Sequence, residues 1–270
     1  MRDTGLRGFW SGYFAARAAP LGHVGAGPVT AAFFNFAPAM VARAVPGCWD
    51  VVAPATLCRV RAIAAAEALN EVCATGTRSA LIAALPLLRR AVDGADAAGR
   101  TLAGANRTLW PQIAPALGTG GLGEAWQATT TLREHRGDGH VATLVAKGLR
   151  GIDAHLLAAG TKGIPTELLR ENRGWSEEAW ADAAAALVRR GLLHGDGRAT
   201  DAGRTLHAEV EATTDRLAAP AYAGLSDAAL EDLLGALAGC AAEVAAAGVL
   251  PFPNPMGLPD VRVQARPHSG

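Results

Sequence analysis

Residues 151–217 carry the tightest constraint in the chain. Three stretches of helical periodicity follow one another at short intervals, over 152–159, 165–172 and 176–190. Pro165 suits the first turn of the second. Ser176 is a good N-cap for the third, and Glu177 and Glu178 lie where acids favour the positive end of a helix. Gly191 stops that helix. The run Leu192-Leu193-His194, Gly195-Asp196-Gly197, Arg198-Ala199-Thr200 then reads as a short β-hairpin about a glycine turn. Long helices are expected over 201–217 and 226–247, and the tail Pro251-Phe252-Pro253-Asn254-Pro255 cannot continue them.

Upstream the pattern is also helical. Hydrophobic residues make up 50% of the chain, mainly Ala, Leu and Val, and aromatics only 5%, a balance that favours helix over sheet. Helices are expected over 8–18 and 28–44, separated by a turn at Pro20–Gly27, with a kink or break at Pro38. Further helices are expected over 54–75, 77–92, 123–135 and 140–147, the last two joined by a turn at Arg136-Gly137-Asp138-Gly139. The glycine- and proline-rich stretch 93–122 reads as a connection with one short helix near 100–110. It suggests an aromatic-rich helical N-terminal domain over 1–122, a second domain over 123–250 and a Pro-rich tail over 251–270.

Helix, helix, helix, two-stranded wing and long helix is the order of a winged helix-turn-helix. The words of 186–217, ALVRRGLLHGDGRATDAGRTLHAEVEATTDRL, resemble the MarR family. The expected fold is therefore mainly α: a helical N-terminal part followed by a C-terminal winged helix-turn-helix with a small β-hairpin wing. Over its whole length the chain also resembles an actinobacterial helix-turn-helix family. The segments carrying this are GYFAARAAPLG (12–22), FNFAP (34–38), LREHRGDGHVATL (132–144), RGWSEEAW (173–180) and PFPNPMGLP (251–259). That second resemblance implies a fold and no particular activity.

The charge pattern argues against reading the helix-turn-helix as a DNA reader. The chain holds 25 basic and 25 acidic residues, and from Lys162 to Arg216 eight basic side chains face ten acidic ones. Phosphate contacts supply most non-specific affinity, and this segment is poor in them. The start of the recognition helix, Gly174 to Asp182, carries three acids and two tryptophans where Arg, Lys, Asn or Gln would read bases. The wing offers only Arg198. Arg170 and Arg173 either touch phosphate or pair with Glu167, Glu171 or Glu177. Trp175 and Trp180 are expected to pack against the N-terminal half or a pocket.

Two groups of residues stand out as candidate sites. Arg133-Glu134-His135-Arg136-Gly137-Asp138-Gly139-His140 is the densest run of functional groups. There Glu134, His135, Asp138 and His140 are candidates for acid–base work, and Arg133 and Arg136 for binding an anion beside the start of the 140–147 helix. His135, Asp138 and His140 are the set that would hold a divalent metal, a less favoured option since no specific metal signature is present. A charged surface turn is the competing reading. The second group is N-terminal: Tyr13, Arg17, His23 and Asn35 are polar groups in apolar company, the usual make-up of a small-molecule pocket. Arg17, on an apolar helix, is expected either to snorkel or to pair with an internal anion.

Other signals narrow the class. Cys48, Cys58, Cys73 and Cys240 form no C-x-x-C pair and read as reduced core thiols. Neither a signal-peptide apolar region nor a membrane-length apolar run is present, so the expectation is a cytoplasmic protein without a membrane partner. Phosphate-loop, dinucleotide and nucleophile-elbow motifs are lacking. The favoured reading is a small-molecule-binding protein on a repurposed winged-helix scaffold, its catalytic version being a specialised-metabolism enzyme with histidine acid–base or metal chemistry. The alternative is a MarR-type, ligand-responsive DNA-binding regulator. Both readings expect a homodimer built on the two long C-terminal helices.

Overall fold

A computed structural model describes residues 4–113, 121–254, 256 and 258. The helices run in chain order α1 (Phe9–Ala18), α2 (Ala26–Ala32), α3 (Pro38–Ala42), α4 (Pro54–Val72), α5 (Thr75–Ala83), α6 (Leu85–Gly94), α7 (Thr101–Ile113), α8 (Leu122–Ala146), α9 (Gly151–Lys162), α10 (Thr166–Arg173), α11 (Glu177–Arg189), α12 (Asp201–Ala218) and α13 (Asp227–Ala246). Among the described residues there is no named strand.

The cap expected at Ser176 is in place, and two further side-chain caps accompany it. Ser176 Oγ accepts from the Ala179 amide to start α11, Thr200 Oγ1 from Gly203 to start α12, and Ser226 Oγ from Ala229 to start α13. Pro54 opens α4 and Pro38 opens α3, so the proline in the 28–44 stretch breaks it rather than bending it. The break leaves Phe33–Ala37 as a connector. Ala37 N–H is tied to Arg173 O at 2.8 Å.

Two expectations are overturned. The hairpin wing is not built: residues 192–200 hold a single isolated bridge, Leu193 with Ala199. The arms are too short: their ladder is limited to His194 N–H to Arg198 O at 2.8 Å and Thr200 N–H to Leu192 O at 3.1 Å, and the outer groups bond elsewhere. Ala199 N–H donates to Gly160 O at 3.0 Å, Asp196 accepts the Arg198 amide at 3.0 Å, and Thr200 caps α12. An all-α description replaces the winged one.

The second correction concerns 136–139, expected as a turn. Arg136 to Gly139 continue one helix, α8, through Ala146, so no helix begins at His140 to offer an anion site. Two helical glycines cost about 1 kcal/mol each relative to alanine. Packing explains Gly139. A Cβ there would lie 2.7 Å from Arg100 Nη1 and 3.4 Å from Leu217 Cβ. Arg100 occupies that gap, donating to His135 O and, at 2.8 Å, to Leu217 O. Asp138 is no turn residue either: its Oδ2 accepts the Ala103 amide at 2.9 Å in the first turn of α7. A glycine pair that looks like a turn is here the place where three elements meet closely.

Helix α8 packs against α4, α6, α7 and α12. It borders several apolar clusters. One joins Phe14, Phe33, Phe36, Trp49, Leu57 and Leu102, with Trp126 and Trp175 against it. A second holds Leu144, Ile152, Leu157, Leu169, Trp180 and Leu187. A third links α6, α8 and α13 through Leu88, Ala128 and Leu233. Among the buried polar groups is Arg61. Its guanidinium donates to Asn106 Oδ1 at 2.6 Å, Gln127 Oε1 at 2.9 Å and Ala16 O at 3.0 Å, binding α4, α7, α8 and α1 together.

Gly151 decides how closely α9 approaches the Phe33–Ala37 connector. A Cβ there would stand 2.0 Å from Phe34 O. Because the obstacle is backbone, Gly151→Ala is expected to destabilise the protein by about 1–3 kcal/mol, as overpacking does. Gly195→Ala, at a position with open space around it, is expected to change stability far less. Urea unfolding of the two variants checks this.

Candidate functional site

A cavity of about 790 Å³ lies among α1, the Phe33–Ala37 connector, α8, α9, α10 and α12. Its walls are mostly apolar, including Phe33, Phe36, Leu102, Leu144, Leu157 and Leu169. Tyr13, Arg17, Asn35, Arg133, Glu134, His135, Arg136, Asp138 and His140 all border it. His23 does not. It is exposed and stands beside Trp49, 6.1 Å between ring centroids.

Glu134 is the polar centre, with 1% of its surface exposed. Arg17 grips it with two parallel bonds, Nε to Oε1 and Nη2 to Oε2, each 2.9 Å. Arg17 Nη1 also donates to the Tyr13 hydroxyl at 3.1 Å, and its guanidinium lies 4.3 Å from the Phe33 ring centroid. Arg133 makes a third bond to Oε1. Burial alone would push the Glu134 carboxyl up, but Arg17 and then Arg133 outweigh it and hold the pKa below the ordinary value. Of the two outcomes expected for Arg17, pairing with an internal anion is the one observed. The carboxylate comes from α8, 117 positions along the chain.

Asn35 stands between two rings in the connector. Its backbone carbonyl accepts from Trp175 Nε1 at 3.2 Å and faces His155 Nε2 at 3.2 Å. Its side-chain Oδ1 is buried and has no hydrogen-bond partner. Arg17 and Asn35, paired in the sequence reading, share the cavity wall, while the bonds of Arg17 go to Glu134 and Tyr13.

Four histidines border the cavity, and each is biased to the neutral form. Burial lowers the pKa of His135, with Arg100 adding to it, and likewise lowers those of His140 and His207. His155 is pushed down to about 3 by burial and by Arg173. The Thr214 hydroxyl gives its proton to Val210 O at 2.8 Å, so it can only accept from His140 Nδ1 at 3.0 Å. In a neutral His140 this leaves Nε2 as an acceptor. Burial raises the Asp138 pKa. Arg136 is engaged with Asp215 at 2.9 Å and Glu211 at 3.1 Å on α12.

The metal set does not converge. At 3.6 residues per turn His140 lies about 140° round the helix from His135, and Asp138 and His140 already have partners. Among the described residues no group of three His, Cys, Asp or Glu side chains could hold a metal ion.

Several lining residues escaped the sequence reading. From sequence, His155 and His207 read as structural or solvated, and Arg173 as either a phosphate contact or a partner of Glu167, Glu171 or Glu177. All three border the cavity, and the buried Arg173 lies 4.8 Å from the Phe36 ring centroid. They come from α9, α10 and α12, with no shared local motif to announce them. The one available hint was His155 amid the apolar run Leu156-Leu157-Ala158-Ala159.

The fold is thus mainly helical with an amphipathic cavity open to solvent on one side, and α10 and α11 are joined by a short turn. The chain matches a family model described as a helix-turn-helix family over residues 1–251, and it belongs to that family. No curated protein and no solved structure matches it. Among the described residues no helix is long and apolar enough to cross a membrane.

Two predictions follow the geometry. Arg17→Met or Glu134→Gln alone strands one charged or polar partner and is expected to cost roughly 3–5 kcal/mol. The double variant is expected to cost less than the sum of the singles, by about 0.5–3 kcal/mol, read from denaturant midpoints. The second concerns acid. Below its ordinary pKa of 6.5 the unfolded chain protonates His155, while the folded chain resists down to about 3. Stability therefore falls as pH drops through that window, with a slope approaching about 1.4 kcal/mol per pH unit for this residue. His155→Gln is expected to flatten the fall between pH 6.5 and 4.5 by that amount.

Proposed function

We propose that this protein binds a small amphipathic molecule in the cavity, with the helix-turn-helix serving as part of its wall. The observation that carries the reading is the cavity itself, about 790 Å³ and mostly apolar, with the Arg17–Glu134–Arg133 cluster and Asn35 on its surface. Such a mix of apolar wall and few aimed polar groups is the usual form of a ligand site. His140, with Nε2 left as an acceptor, is the residue this reading would assign any proton transfer to.

A second reading, a DNA-binding regulator sensing the same ligand, is supported by membership of a helix-turn-helix family. The surface around α11 speaks against it. Glu177, Glu178 and Asp182 are exposed at the start of that helix. Arg170 lies within 3.4 Å of Glu177 and 3.6 Å of Glu171, and Arg198 is held by Asp196 at 2.7 Å. Arg173 is buried. Few cations remain for phosphate.

Native mass spectrometry of the protein as purified tests the first reading. A stoichiometric small molecule is expected, and it is expected to be lost in Ala158→Trp, which puts an indole into the cavity from a partly buried wall position. The same spectrum reads the oligomeric state. A homodimer is part of this proposal, since Leu217 and Leu234 are 38% and 63% exposed on α12 and α13. An empty protein with salt-dependent affinity for duplex DNA would support the regulator instead.

A further inference from the structure

The cavity wall is unevenly equipped, and the imbalance specifies a ligand head group. Around Glu134 two guanidiniums face one carboxylate, leaving one positive charge in excess in a largely apolar chamber. Arg17 has five N–H donors, and three are engaged by Glu134 and Tyr13. Its orientation is fixed by those bonds and by the Phe33 ring, so its remaining donors are pre-positioned. Arg133 bonds Glu134 through one nitrogen, and its side chain is 50% exposed. Both arginines border the cavity. On the same wall Asn35 Oδ1 is a buried acceptor without a donor. An unsatisfied buried acceptor is unfavourable, and a bound donor would remove that cost.

We infer that the cavity takes an organic carboxylic acid with an apolar body and a hydroxyl or amino donor close to the carboxylate. The carboxylate oxygens accept from Arg17 and Arg133, the donor satisfies Asn35 Oδ1, and the apolar body lies against Phe36, Leu144 and Leu157. This rests on the binding role proposed above and adds the chemistry of the occupant. A neutral apolar molecule would leave the excess charge and the Asn35 acceptor unanswered.

Three probes of one shape separate the contributions: 3-phenyllactate, with both groups; 3-phenylpropionate, lacking the hydroxyl; and 3-phenylpropane-1,2-diol, lacking the carboxylate. Saturation-transfer NMR titration with the full chain is expected to rank them in that order. Phenyllactate should bind about tenfold more tightly than either of the others, the effect of one charge-assisted or otherwise unmet hydrogen bond. Arg133→Gln is expected to weaken both acids about tenfold and leave the diol unchanged. Asn35→Ala is expected to abolish the difference between phenyllactate and phenylpropionate. Circular dichroism melts establish that each variant is folded. If the diol binds as tightly as the acids, or Arg133→Gln weakens all three alike, the head-group inference is overturned while the cavity reading stands. If all three bind Ala158→Trp as well as they bind wild type, or none binds wild type, the cavity reading itself falls.

Discussion

A carboxylate with almost no access to water must be neutralised or compensated, and Glu134 is compensated. Its anion is held by Arg17 from α1 and by Arg133 from the preceding position on its own helix. Taking such a pair out of water costs several kcal/mol per ion, repaid only when geometry is good and the other hydrogen-bonding positions are filled. Here the fork of Arg17 meets both carboxylate oxygens, and Tyr13 takes a further donor. The pair therefore fixes the position of α1 against α8 more strictly than apolar packing would, because a sliding error of one ångström would leave two charges stranded. Since α1 also carries Phe14, and Phe14 packs on Phe33 and Phe36, the placement of the connector follows from the placement of α1.

Arg61 repeats the same logic without a carboxylate of its own. Its guanidinium is met by two side-chain amides and a backbone carbonyl, all neutral, and burial lowers its pKa. One network ties α1 to α8 and the other ties the Ala16 carbonyl to α4. They add directional bonds to a helix whose Trp10, Tyr13 and Phe14 already pack against Phe36.

Legibility from sequence followed how local each signal was. The caps Ser176, Thr200 and Ser226 act within three residues, and the helices they start are found where periodicity puts them. Pro38 forbids a continuous helix over 28–44 for reasons internal to the residue. The failure at 136–139 is non-local. Gly137 and Gly139 carry the local signal of a turn, yet the contact that explains Gly139 comes from Arg100 and Leu217, elements distant in sequence. The wing is cut short locally: the bonds His194 N–H to Arg198 O and Thr200 N–H to Leu192 O are made, but the next residue, Asp201, already begins α12. In the candidate site, Arg17 could be recognised as anomalous from its apolar helix, but nothing in the sequence names Glu134 as its partner. His155, Arg173 and His207 arrive from three helices whose order around the cavity is a property of packing.

The direction in which the helix-turn-helix faces is the strongest consequence of that packing. In a DNA reader the residues at the turn and the start of the second helix look outward into a groove. Here the turn carries Trp175, whose indole nitrogen donates to Asn35 O, and the helix before it ends in Arg173, buried against Phe36. Ala37 N–H is tied to Arg173 O as well, so the connector and the end of α10 form one wall. Arg173 is thus turned toward the interior, Arg170 and Arg198 are paired with acids, and Glu177, Glu178 and Asp182 lie at the surface. A motif is defined by the succession of helices, but its function depends on which face the rest of the chain covers. In this molecule the N-terminal helices cover the turn and build a chamber behind it. Trp175 and Arg173 of the motif are therefore committed to internal contacts with the connector.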